Sequence, residues 1–555
     1  MSASDRLHAL ADAYLDGWTR QYVDLAVYLG VPRDRHDALP DNSLAGIRAW
    51  HAREDAWRAE LYRIDASALD DGGRVTFGIL REMLEAEIGW RVARPELWTV
   101  DPAGGWHVFY PRVALAQPVG SDSLRAQALA RWRGFPRFVR NEIDRLMEGA
   151  RTGWTAPRDA VLRVVGQLDA VLAAPPADSP YADPARRDAD DAFRRAWMAL
   201  VAEEIHPALA RYRDYLRDAY LPRARESLAL SSLPSGVDGY RATLRRYTTL
   251  DLEPEAVHAF ALAELGRAEA EMRPLALRAL GTDDLAEVRR RLRTSAEYRF
   301  ASTDEVLEMA RDVVHRAWKR LPAWFGVLPR AAVVVEPLPG SNASAPGGIY
   351  VPPAEGRPGI FQVNTDPSAP LTRVRAESTI LHETVPGHHL QLALSRERTG
   401  VHPLARLLGS SGFVEGWAVY AEGLADEMRL YSSDLARLGW MAARLFYAGW
   451  TAVDSGIHAL GWDREQARDL LLTRTATLAE RVDPMIDMAA TWPGFAPAYL
   501  LGSAEIRRLR AEAESALGPA FDVRRFHTAV LEEGSVTLPM LRARLARWTA
   551  AQRAG

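Results

Sequence analysis

The stretch DAFRRAWMALVAEEIHPALARYRDYLRDAYL, Asp191 to Leu221, decides the fold. Apolar residues return along it at three- and four-residue steps, which gathers them on one face of an α-helix and leaves Arg, Asp and Glu between them. The same step runs through SLRAQALARWRGFPRFVRNEIDRLMEGA, Ser123 to Ala150, and through EAVHAFALAELGRAEAEMRPLALRAL, Glu255 to Leu280. The chain is therefore expected to be mainly α. Turn residues at Pro175 to Pro180 and Leu233 to Gly239 punctuate the helices, and no fixed-period repeat or low-complexity tract interrupts them.

The exception is Ala331 to Pro370, where AAVVVEPLP, GGIYVPP and GIFQVNT alternate with Gly and Pro. These read as short β-strands. A boundary is expected near residue 330, between a helical N-terminal lobe (1–330) and a metal-binding lobe (331–555) of one unit. An edge strand here would pair with an extended substrate through main-chain hydrogen bonds. Gly347, Gly348 and Asn364 are the candidates for that wall, the alternative being a structural ribbon.

Directly behind the strands comes HETVPGHHLQ, His382 to Gln391. It is a stretched version of the zinc-hydrolase pattern in which two His lie one turn apart and the intervening Glu is a general base. The stretch has a physical reason. Pro386 removes a donor, and its ring collides with the carbonyl of His382 four residues back, so the helix must bulge or break, while Gly387 tolerates the resulting angles. A bulge of two residues brings His388 to the second-ligand position. On an unbroken helix His389 would face the same way as His382 but about 10 Å away. His382 and His388 are the expected ligands, with His389 in reserve.

The third ligand is expected from GFVEGWAVYAEGLADEM, Gly412 to Met428, at Glu415. Two neutral imidazoles and one carboxylate leave a position open, as a catalytic zinc requires. Glu422, two turns further on the same face, either holds a ligand imidazole or pairs with an arginine. Trp417 and Tyr420 read as core.

RAESTILHETVPGHHLQ, Arg375 to Gln391, followed by FVEGWAVYAEGLADE, resembles the bacterial family catalogued as domain of unknown function 885, whose members are similar to gluzincin metallopeptidases. The likeness runs nearly end to end, through LPSGVDGYRATLRRYTT, DSGIHALGW, PAYLLG and FHTAVLEEGSVTLPML. It implies a helical, two-lobed fold around a buried zinc cleft, with His382, His388 and Glu415 as ligands and Glu383 as base. It also implies Tyr499 as donor to the oxyanion on the attacked carbonyl, a core tyrosine being the alternative. The chain departs from the family in MIDMAATWPGFAPAYLLG, Met485 to Gly502. An acidic residue and an Arg-Tyr pair usual there are replaced by Met485, Met488 and Ala489, and Phe495 stands in place of a Gln. His458 and His527 lie in shared blocks and are candidates to reach the cleft. His458 is the one taken as catalytic, with Asp454, one turn before it, to orient its ring.

Composition narrows the partners. The net charge is −4, from 69 basic and 73 acidic residues, which gives no reason to expect nucleic acid or an anionic membrane. The run Arg289, Arg290, Arg291, Arg293 reads as a solvated helix face. There are no cysteines, so a metal must be held by nitrogen and oxygen. No apolar run reaches the length of a membrane span, and the N-terminus lacks the pattern of a secretion signal, so a cytoplasmic location is expected. The function these observations support is a zinc-dependent hydrolase of amide or peptide bonds, with a small peptide or amide as substrate. Manganese or iron would also bind such a donor set. The alternatives are a pathway-specific amidase acting on a small acyl or aminoacyl metabolite, and a metal-stabilised binding protein without catalysis.

Overall fold

The computed structural model describes residues 2–31, 35–339, 346–354, 356–366 and 371–554. They form a mainly α-helical protein with one small sheet. Contacts divide the chain into two units, one of residues 1–65 and 87–239, the other of 66–86 and 240–555. The division thus falls near residue 240 rather than near 330. The reason lies in packing: helix α1 (Pro254–Leu280) runs against helix α6 (Asp434–Leu460), so the helices after residue 240 belong with the metal-binding half.

The first unit is built around aromatic residues. Trp132, Phe135, Tyr181 and Trp197 are all but fully buried, with Trp132 edge to face against Tyr181 and Trp197, and Phe135 tilted against Tyr181. The helix read from Asp191 to Leu221 is present but widens twice. Between Val201 and Ile205 the bond closes one residue late, His206 N–H reaching Val201 O. Pro207 accounts for this, since it has no N–H and its ring would strike the carbonyl four residues before it.

In the second unit α1 opens with Pro254 at its first position and stops at Gly281, which has φ 73°. Helix α2 (Thr303–Arg320) leads to the sheet, of order β1-β3-β2: β1 (Val333–Pro337), β2 (Gly348–Val351) and β3 (Gly359–Val363). Strand β1 runs parallel to β3 and β2 antiparallel. Gly359, Phe361 and Val363 of central β3 point into the core. After the sheet come α3 (Arg373–Glu383), α4 (His388–Glu397), α5 (Ser411–Glu427), α6, α7 (Ala479–Thr491) and α8 (Phe495–Leu517).

Four of these helices are pressed together in two pairs through glycine. A Cβ on Gly416 of α5 would stand 2.5 Å from the Cα of Gly502 of α8, and one on Gly502 would stand 1.9 Å from the carbonyl oxygen of Gly412. A Cβ on Gly439 of α6 would meet the Val374 carbonyl oxygen of α3 at 1.8 Å. Only hydrogen fits at these crossings, so backbone sets the spacing of the helices that carry the site.

The arginine run on the helix Leu285–Thr294 is not wholly a solvated face. Arg290 and Arg291 pair with Glu287 near the surface, but Arg289 is buried against Glu269 and Arg293 donates to the Leu472 carbonyl.

Candidate metal centre

The helix breaks where proline requires. α3 ends at Glu383 and α4 begins at His388, and across the gap Gly387 N–H reaches Leu381 O and His389 N–H reaches Thr384 O. A Cβ on Gly387 would lie 1.9 Å from the His382 carbonyl oxygen, which restricts the position to glycine. The buried indole of Trp417 donates to the Pro386 carbonyl at 2.9 Å and pins the break from α5.

The break turns the two imidazoles together. The His382 and His388 rings are 4.7 Å apart, nearly perpendicular. Glu415 Oε2 stands 3.7 Å from His382 Nε2 and 3.4 Å from His388 Nε2. One donor atom from each of the three residues lies within 4.8 Å of the others, the one such group found among the described residues. For ligands about 2.1 Å from a zinc ion, tetrahedral geometry separates donors by about 3.4 Å, so the donor set fits.

Glu422 orients the first imidazole. Its Oε1 accepts from His382 Nδ1 at 2.9 Å and from the Tyr447 hydroxyl at 2.8 Å, and its Oε2 accepts from Ser378 Oγ at 2.5 Å. With Nδ1 held by Glu422, Nε2 is the His382 atom that faces Glu415 and is left for a metal. Of the two roles open to Glu422, the structure shows the imidazole-holding one. The charge balance of the pocket favours a cation. Burial alone would push His382 down, but the Glu415 and Glu422 carboxylates outweigh it and lift it to about 10. Burial would likewise raise Glu415, yet the two imidazoles bring it down to about 2.

Glu383 lies beside these groups, half-buried, with Tyr350 N–H of β2 donating to its carboxylate; burial raises it above the usual carboxylate range, against the pull of His382 and His388. Tyr499 reaches the site as well. Its ring lies nearly parallel to that of His382 at 6.4 Å and stacks on Tyr447 at 5.4 Å.

Other candidates lie elsewhere. His389 is fully buried between the Tyr350 hydroxyl (2.8 Å) and the Ala331 carbonyl (3.0 Å), and burial lowers it to about 4, so it bridges α4 to the sheet rather than joining the cluster. The catalytic role expected of His458 does not match its place: it is fully buried, about 16 Å along α6 from Tyr447, with Nε2 donating to the Ala489 carbonyl at 2.7 Å. Asp454 accepts from the Tyr240 hydroxyl at 2.5 Å and from Gly494 N–H. His527 is buried between the Trp324 carbonyl and the Tyr420 hydroxyl, and burial lowers it to about 3. It borders a separate cavity of about 900 Å³, lined also by Leu531, Arg544 and Trp548 and by none of the cluster residues. Gly347 and Asn364 do not form an open wall, because Asn364 N–H donates to the Gly347 carbonyl and Asn364 is buried.

The sequence reading missed Ser378, Tyr447 and Tyr350. Ser378 stands one turn before His382 and was legible by spacing; the two tyrosines come from elements whose partners no local pattern gives.

Fold and site together define a helical protein with a two-histidine, one-glutamate metal-type centre and an adjoining carboxylate. The chain belongs to the family described as bacterial protein of unknown function, DUF885, whose sequence profile matches residues 24–545. The crystal structure of a "putative lipoprotein" from Colwellia psychrerythraea is similar at 23% identity and TM-score 0.91, over 99% of this chain and 100% of that one. A second, from Shewanella oneidensis and described as of unknown function, is similar at 18% identity and TM-score 0.74, over 97% and 99%. These likenesses show the fold. No curated protein matches the chain. Among the described residues no helix is long and apolar enough to cross a membrane.

Proposed function

We propose that the protein is a metal-dependent hydrolase of amide or peptide bonds, with zinc as its ion and a small peptide or amide as its substrate. The observation that carries this reading is the triangle of His382 Nε2, His388 Nε2 and Glu415 Oε2, with His382 Nδ1 held by Glu422 and Glu383 alongside. Zinc held there supplies Lewis acidity, polarising a carbonyl and acidifying water. Glu383 takes the proton from the attacking water and passes it to the leaving amine. Tyr499, facing His382, donates its hydroxyl to the oxyanion as the carbonyl becomes tetrahedral. A purely structural zinc would be closed by four protein ligands, whereas three are found here among the described residues. A cytoplasmic location is part of the same proposal; fractionation of cells producing the protein tests it against the lipoprotein description of its structural relatives.

The experiment is metal analysis of wild type, Glu383→Gln and His388→Ala beside hydrolysis of a pooled dipeptide and acyl-amide library. One zinc per chain in wild type, lost in His388→Ala and kept in Glu383→Gln with turnover down at least about 100-fold, is the expected result. Full loading of His388→Ala would refute the donor set, and undiminished turnover by Glu383→Gln would refute its role as base.

A further inference from the structure

The metal cluster does not end at Tyr499. From that ring a continuous series of aromatic contacts leads outward: Tyr499 meets Phe495 edge-on at 5.5 Å, Phe495 meets Trp492 at 5.1 Å and Tyr247 at 5.3 Å, and Trp450 backs both Tyr499 (5.8 Å) and Phe495 (6.0 Å). Burial separates them by role. Trp450 is buried, while Tyr247, Trp492, Phe495 and Tyr499 each keep part of their surface open. Glu383 and Glu415 likewise keep a minor part of their surface exposed, while His382 and His388 are buried behind them. Core aromatics at the centre of a helical unit are normally covered. Four rings left partly open in a row that begins at a candidate metal centre form an apolar surface for a ligand to cover.

We propose that this row is the specificity wall of the site, and that the substrate carries an aromatic or similarly flat, bulky apolar group next to the amide bond that is cut. The inference rests on the hydrolase reading and adds the substrate class to it. The occupant follows from the geometry. The wall presents ring edges and faces at mutual distances near 5 to 6 Å, which another ring matches by edge-to-face or offset stacking. A charged or strongly polar group in this place would lose hydration against rings that return no hydrogen bond.

The test uses small hydroxamates, which chelate zinc and need no turnover. Zinc-loaded full-length protein is titrated by calorimetry with phenylacetohydroxamate and with acetohydroxamate. The phenyl compound is expected to bind at least about tenfold more tightly, the effect of covering roughly half a phenyl ring. In Phe495→Gln this ratio falls severalfold while acetohydroxamate affinity and zinc content hold; Phe495→Leu, which keeps apolar volume, falls less and serves also if the Gln variant does not fold. A ratio near one in the wild type overturns the wall, while tight binding of both compounds leaves the hydrolase reading standing. Protein that takes up no zinc, or loaded protein that binds neither hydroxamate, overturns that reading and the wall with it.

Discussion

At Glu422 one carboxylate accepts three hydrogen bonds, from Ser378, His382 and Tyr447. Glutamine has the same shape but only one acceptor oxygen, so Glu422→Gln cannot serve all three donors. The expected outcome is zinc affinity weaker by about 10- to 100-fold with little change in melting temperature, measured by competition with a chelator. Asp454 makes a different case. Burial raises its carboxyl to about 8, only partly offset by the Tyr240 hydroxyl and the Gly494 amide. Since the folded value lies above the ordinary 3.8, the protonated carboxyl stabilises the fold fully below about pH 4, and that contribution is lost as the pH rises through about 8. Wild type should therefore lose melting temperature between pH 5 and 8 more steeply than Asp454→Asn, which has no proton to lose there.

Among elements, the glycine crossings decide whether the donors meet. Gly416→Ala would drive a methyl into Gly502, and the cost of such overpacking is about 1–3 kcal/mol, read as a lower melting temperature. Because Gly416 adjoins Glu415, zinc content should fall too. These crossings were not legible in the sequence: glycine within a helical pattern reads as a weak helix former, and only the partner helix shows why hydrogen is required. The break at Pro386 was legible, because proline's missing donor and ring clash act within its own turn, and so His388 was separable from His389 before any tertiary contact was known. Glu415 was legible from type and distance along the chain. His458 misled, since an imidazole on an apolar helix face looks the same whether it meets a substrate or, as here, the Ala489 carbonyl.

For the whole molecule, periodicity identified helices but not which of them pack together, and the division near residue 240 therefore escaped it. Residues 66–86, distant in sequence, count with 240–555. They bring Glu82 and Glu85 to Arg245 and bury Val75, Ile79, Leu80 and Leu84. Four buried aliphatic side chains amount to about 6–12 kcal/mol, comparable to the net stability of a domain. A chain beginning at residue 240 is expected to show no cooperative thermal transition by circular dichroism, whereas the full chain melts cooperatively. The interrupted helix at His382 to His388 bears on transplantation. A donor pair held on either side of a break does not survive as an isolated helical peptide, because its phase comes from Gly387 against the His382 carbonyl and from Trp417 against Pro386. Anyone grafting this centre onto a designed scaffold would have to move helix, break, helix and the tryptophan-bearing neighbour together as one piece.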